Sequence, residues 1–328
     1  MTYGDIVGRF FFEAVPTMAV SPTVRFEATS AAVIGTKQIR YGPLPPPEVQ
    51  VAVRDVIRNS PDGLTFFVPW GVTKQQPDAP LDVLEFMALR QLRCVQDTLR
   101  AYGTGAAFYF RLDDNSDRWL LGDDRAKQIA VYSGTLEKLI RAVLPELAFP
   151  RRESQFATYD EFHETASRLT PAFYRVITKA ADPATLAEHG WKGDLPQAQL
   201  DYYYAAYRRF YPGQDHQYIA AKYFAGALTR HKLNATTAPP GPRVEVSFSR
   251  PVPGHPLAGS RVYYRTLPER YTHHHTAPWG GRGYMAISDA GTAAPRYVEH
   301  LDPGEAGRLV AHEVKVGEAV VAAPYLEA

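Results

Sequence analysis

The chain has 328 residues, 45% hydrophobic and 22% charged, which is ordinary globular composition and enough chain for a large core in one domain or two intimate ones. Lys and Arg number 36 against 35 Asp and Glu, so no long-range field draws the protein to nucleic acid or to an acidic membrane. The one cysteine, Cys94, excludes an internal disulfide and a Cys-based zinc cluster, no apolar stretch approaches the roughly 18 residues a bilayer needs, and the first residues lack a secretory pattern, so the chain reads as a soluble cytoplasmic protein.

In chain order, residues 1–47 read as an irregular segment closed by the stiff Pro43-Leu44-Pro45-Pro46-Pro47. A helix is expected over about 48–59, with Val49, Val53, Val56 and Ile57 on one face. Leu64-Thr65-Phe66-Phe67-Val68-Pro69, opened by Pro61-Asp62-Gly63, reads as a buried strand. The loop after it carries Trp70 and Lys74 to the carboxyl end of that strand, where open α/β sheets bind ligands. A lysine there offers an ammonium to a phosphate or carboxylate, an amine for carbonyl chemistry if buried, or simply a solvated charge. Pro80-Leu81-Asp82 starts a long helix to about Arg100, whose apolar residues recur at three and four and which holds Cys94 as a packed residue. Asp82 and Glu85 share its first turns. Both suit capping, while Glu85, next to Leu84 on the apolar stripe, also suits acid/base work beside a lysine.

Ala106 to Phe110 is a second buried strand, followed by an acidic turn, Asp113 to Asp117, and a helix at about 134–143. Strand, helix, strand, helix with these crossovers argues a parallel sheet covered by helices, an α/β core over 48–150. Residues 151–238 read as a helical insertion. Lys222 and Arg230, eight apart, share a face of the helix at 217–233 and could hold an anion or be solvated; Lys232 decorates the same helix, and Arg209 lies among aromatics. Pro239-Pro240-Gly241-Pro242 is a break, after which the period shifts to two. Residues 239–328 are therefore expected as a β-rich, largely antiparallel region packed on the core. His273-His274-His275 cannot easily converge on one metal, since neighbours in a strand face opposite sides, so no metal is assigned; one of the three can reach a site.

Several of these segments resemble, in order over about 48–290, those of the isocyanide synthase (pyoverdine/dityrosine biosynthesis) family. Phe66-Phe67-Val68-Pro69-Trp70-Gly71-Val72-Thr73-Lys74 is similar to the family's Phe-Val-Leu-Pro-Ala-Phe-Pro-x-Lys. Asp82-Val83-Leu84-Glu85-Phe86-Met87-Ala88-Leu89 resembles Asp-Leu-Ala-Glu-x-Leu-Ala-Leu, and Asp113 falls in a segment like its Ser-Asp-Gly turn. Arg209-Phe210 and Leu228 to Ala235 are similar to later family segments. Val244 to Ser249 resembles Ile-Arg-Leu-Ser-Ile-His, and Ala277-Pro278-Trp279-Gly280 resembles Thr-Pro-Trp-His.

The resemblance implies an α/β Rossmann-like fold and a cofactor-free reaction in which the amine of tyrosine or tryptophan condenses with ribulose 5-phosphate. It implies catalytic roles for Lys74, Glu85, Asp82 and, from a shifted position, His275. Substrate-binding roles fall to Arg209, Lys222, Arg230, Lys232, Asp113, Trp70, Trp279 and Ser249. The partners are then an aromatic amino acid and a sugar phosphate; the oligomeric state is left between monomer and homodimer. Two family histidines stand as Ser249 and Gly280 and one arginine as Glu245, which leaves open a diverged enzyme making an N-formyl or other modified amino acid, or a noncatalytic binder.

Overall fold

The computed structural model describes residues 2–14, 25–35, 44–60, 62–72, 81–145, 148–178, 183–188, 213–248, 259–267 and 277–326. Its centre is a five-stranded sheet of β1 (Gly63–Trp70), β2 (Gly105–Leu112), β3 (Ala148–Arg152), β4 (Val244–Ser247) and β5 (Arg261–Tyr263), in the order β3-β2-β1-β4-β5 with every pairing parallel. The chain runs outward from β1 to β3, then returns past β1 to lay down β4 and β5. That reversal leaves a crevice outside the carboxyl ends of β1 and β4, the place where doubly wound sheets take ligands.

Alternation along the strands sorts the sheet into two faces. Leu64, Phe66, Val68 and Trp70 of β1, Ala106, Phe108, Phe110 and Leu112 of β2, and Val244, Val246 and Val262 of β4 and β5 enter the main core. Phe66 and Phe108 stack there at 4.9 Å. This face is covered by α3 (Pro47–Arg58), α4 (Val83–Ala101) and α6 (Ala126–Val143). The second face carries, in one register row, Phe149, Tyr109, Phe67, Glu245 and Arg261. Tyr109 and Phe149 stack at 4.9 Å, and Glu245 pairs with Arg261 at 2.6 Å.

The long helix α4 begins with a reciprocal cap: Asp82 accepts from the Leu84 amide while Glu85 accepts from the Asp82 amide. It ends at Gly103, whose φ of 71° is the left-handed conformation that glycine adopts without steric cost. The segment read as an acidic turn is instead the start of a helix, α5 (Asp114–Leu121), because carboxylates at a helix N-terminus offset its dipole and cap its free amides. The helix expected near 134–143 starts earlier, at Ala126.

The amino-terminal residues correct the irregular reading. Tyr3–Phe12 forms α1 and Arg25–Ile34 forms α2. Thr2 and Asp5 make a capping box, and Val7 and Phe11, one turn apart, are buried; the run Phe10-Phe11-Phe12 hides that spacing in the sequence. The helical stretch beyond β3 contains α7 (Tyr159–Ile177), α8 (Pro183–Glu188) and α9 (His216–Thr237). α7 and α9 pack through Leu169, Phe173, Phe224 and Leu228.

Of the strands after the Pro239–Pro242 break, the first two extend the parallel sheet. Antiparallel pairing begins with β6 (Gly283–Ile287) against β7 (Ala293–Tyr297), then β8 (Glu313–Val316) against β9 (Ala319–Ala322), while β10 (Tyr325–Leu326) adds in parallel to β6. Among the described residues, no helix is long and apolar enough to cross a membrane.

Candidate functional site

Two groups of side chains meet at the carboxyl edge of the sheet. On the second face, Arg111 near the end of β2 is 2% exposed and lies over the Phe67 ring at 5.5 Å. Its Nε donates to Asp113 Oδ1 at 2.9 Å, and the other oxygen of Asp113 accepts from Arg230 of α9 at 3.0 Å. One carboxylate therefore bridges two guanidinium groups. Glu153, directly after β3, lies within 3.7 Å of Arg111 Nε and accepts from the amide and the hydroxyl of Ser116 at 2.9 and 3.1 Å. Burial pushes its carboxyl up to about 8, reinforced by the negative charge of Asp113 and opposed by Arg111, Arg230 and the Ser116 amide. Glu153 thus holds its proton to a higher pH than an ordinary carboxyl does.

The pairing of α5 with α9 places Arg230. Trp119 of α5 donates its indole N–H to the Lys222 carbonyl at 3.0 Å, and the Lys222 ammonium sits 4.9 Å from the Trp119 ring centroid. Gly226, between Lys222 and Arg230 on the same face, leaves room for that ring: a Cβ there would lie 2.8 Å from Trp119 Cδ1. Partial burial of Lys222 lowers its affinity for a proton, against the attraction of Asp123.

On the first face, Trp70 is fully buried and packs against Phe248 and Trp279, each at 5.5 Å between centroids. Gly71 permits the close approach of Trp279, since a Cβ on it would lie 2.6 Å from the indole nitrogen. Behind Trp70, the Tyr132 hydroxyl donates to Glu85 Oε1 at 2.7 Å, and burial together with the charge of Glu85 keeps that phenol protonated. The two groups are tied along the backbone. The Asp113 amide donates to the Trp70 carbonyl at 2.9 Å, and the Val72 amide to Asp117 Oδ2 at 2.6 Å.

The structure thus brings together Asp113 and Arg230, with Lys222 two turns from Arg230, and separately Trp70, Trp279 and Glu85. Asp82 serves as a cap and a tie: its second oxygen accepts from the Gly283 amide at 2.9 Å, joining α4 to β6. Lys232 is exposed on α9, two residues from Arg230 and so on a different side of the helix. Lys74, Arg209, Ser249 and His275 lie outside the described residues. Two residues that the sequence reading passed over, Arg111 and Glu153, complete the charged group. Among the described residues, no three His, Cys, Asp or Glu side chains gather as a metal site.

No family model and no curated protein matches the chain. Among solved structures, the PvcA protein from Pseudomonas aeruginosa aligns over 99% of this chain and 100% of its own, with a TM-score of 0.54 and 13% identity. The chain has the PvcA fold. Tyrosyl-tRNA synthetase from Pyrococcus horikoshii, solved with L-tyrosine, aligns over 73% of this chain and 60% of its own at a TM-score of 0.34 and 10% identity. A tryptophanyl-tRNA synthetase homolog from Entamoeba histolytica aligns over 69% and 59% at 0.30 and 13%.

Proposed function

We propose that this protein is an enzyme of the isocyanide synthase family, joining the amine of an aromatic amino acid, tyrosine or tryptophan, to the ketone carbon of ribulose 5-phosphate. The observation that carries this reading is the end-to-end likeness to the PvcA fold, taken with family-like segments that fall at the carboxyl edge of the sheet. Attack of an amine on a ketone needs groups that exchange protons, a cation for the phosphate and a cation for the carboxylate. Glu85 and Lys74 are assigned to the proton transfers, and Arg230 to an anionic group. Trp279, partly buried against the core residue Trp70, is assigned to the apolar side on which an aromatic ring would rest.

A second reading is a diverged enzyme of the same fold that leaves an N-formyl or other modified amine. It is favoured by Gly280, which follows Trp279 in a buried turn and offers no imidazole where the family carries one. Mass spectrometry after incubation with tyrosine or tryptophan and ribulose 5-phosphate separates the readings. An isocyanide adds one carbon and removes two hydrogens from the amino acid, whereas a formyl product adds one carbon and one oxygen. Unchanged amino acid across a panel of such substrates would refute both.

A further inference from the structure

We propose that Arg111 and Arg230, held together by Asp113, form an oxyanion subsite in which the outer edge of Arg111 takes a phosphate or carboxylate oxygen of a small substrate. The inference deepens the enzyme reading above and rests on it for the choice of anions, but its test is binding and needs no turnover.

Taking a guanidinium out of water is costly unless its donors are met. Arg111 is 2% exposed, and only its Nε edge is engaged, by Asp113 at 2.9 Å. Its first terminal nitrogen is buried and finds no acceptor among the described residues. The cluster offers it none. The two oxygens of Asp113 are directed one to each arginine, and those of Glu153 are directed to Ser116. The arrangement fixes the orientation of Arg111 while leaving a donor over for a ligand.

Charge points the same way. Two guanidinium groups face the one carboxylate of Asp113, while burial favours the protonated form of Glu153. Cationic groups therefore predominate in a largely desolvated place, where an anion is attracted far more strongly than in water. Arg230, whose side chain is 25% exposed against 2% for Arg111, is the more accessible of the two guanidinium groups. The position also suits the ligand, since the cluster lies at the carboxyl ends of β2 and β3 beside the switch-point crevice. The planar fork of a guanidinium matches phosphate and carboxylate oxygens in pairs, which an ammonium does not.

The experiment is calorimetric titration of the full chain with inorganic phosphate, ribulose 5-phosphate and tyrosine, for wild type, Arg111→Lys and Arg230→Gln. Arg111→Lys keeps the charge and loses the fork, and binding should weaken by about tenfold or more. If the loss falls on inorganic phosphate and the sugar phosphate, the anion is the phosphate; if it falls on tyrosine, the anion is the amino acid carboxylate. Should Arg111→Lys fail to fold by circular dichroism, Arg230→Gln, a change at the less buried arginine, carries the same tenfold expectation. Wild-type protein that binds none of the three at millimolar concentration, or a folded variant that binds all of them as wild type does, overturns the subsite. Anion binding lost in the variants without isocyanide or formyl product from wild type would leave the subsite standing and remove the enzyme reading.

Discussion

Replacing Glu153 by glutamine should flatten the pH dependence of folding stability between about pH 4.5 and 8. In the folded protein this carboxyl is raised from 4.5 to about 8. The unfolded chain gives up the proton near 4.5, the folded chain only near 8, so between those values the folded state binds more protons than the unfolded state. Stability then falls as pH rises, with a slope of up to about 1.4 kcal/mol per pH unit. The contribution is intact below 4.5 and fully lost above 8, a total on the order of 3–5 kcal/mol. Glutamine keeps an oxygen for the Ser116 amide, can donate from its amide nitrogen to the Ser116 hydroxyl oxygen, and does not titrate. Urea unfolding of both proteins at intervals from pH 5 to pH 9 should therefore give curves that diverge, the wild type losing several kcal/mol that the variant retains. Parallel curves across that range would show that Glu153 ionises normally in the fold and would remove the charge argument for the arginine pair.

Gly226→Ala places a methyl group 2.8 Å from Trp119, so α5 and α9 must separate; a loss of about 1–3 kcal/mol in denaturant unfolding is expected, and an unchanged midpoint would contradict the packing. Tyr132→Phe removes the hydroxyl that donates to Glu85 and should cost about 1–3 kcal/mol by the same assay. Lys74→Ala should lower the rate of product formation by about a hundredfold or more if the lysine transfers a proton or forms an imine. Borohydride trapping with ribulose 5-phosphate then separates the imine from simple pairing, because only the imine leaves a covalent adduct in the mass spectrum.

The parts of the fold that were legible in the sequence are those whose burial is uniform along an element. β1 and β2 read as strands because parallel strands covered by helices are almost continuously apolar, and α4 because its apolar residues return at three and four. Asp82 and Glu85, three apart, announced the helix cap. β3 escaped notice because Ala-Phe-Pro-Arg-Arg has a proline and two charges; as an edge strand it tolerates a missing amide and one wet face. Glu153 was lost with it. Arg111 was passed over because the strand was ended at Phe110, although Arg111 shares the parity of Phe67 and Tyr109 on the face that bears the charged group. β4 and β5 were visible as strands by their alternation, but alternation does not say which partner a strand takes. Their place beside β1 depends on contacts across much of the chain.

That placement has a consequence for how the protein comes off the ribosome. β1, the middle strand, acquires β2 as soon as the next helix has folded, yet its other edge stays bare until Val244 and Glu245 emerge. For most of translation the growing chain presents an apolar strand with free amides and carbonyls, the kind of surface that pairs with other chains. A fragment cut at the proline-rich break would keep that flaw permanently. The enclosed architecture is complete only when the late strands have docked, and removing them would expose the nascent core to aggregation.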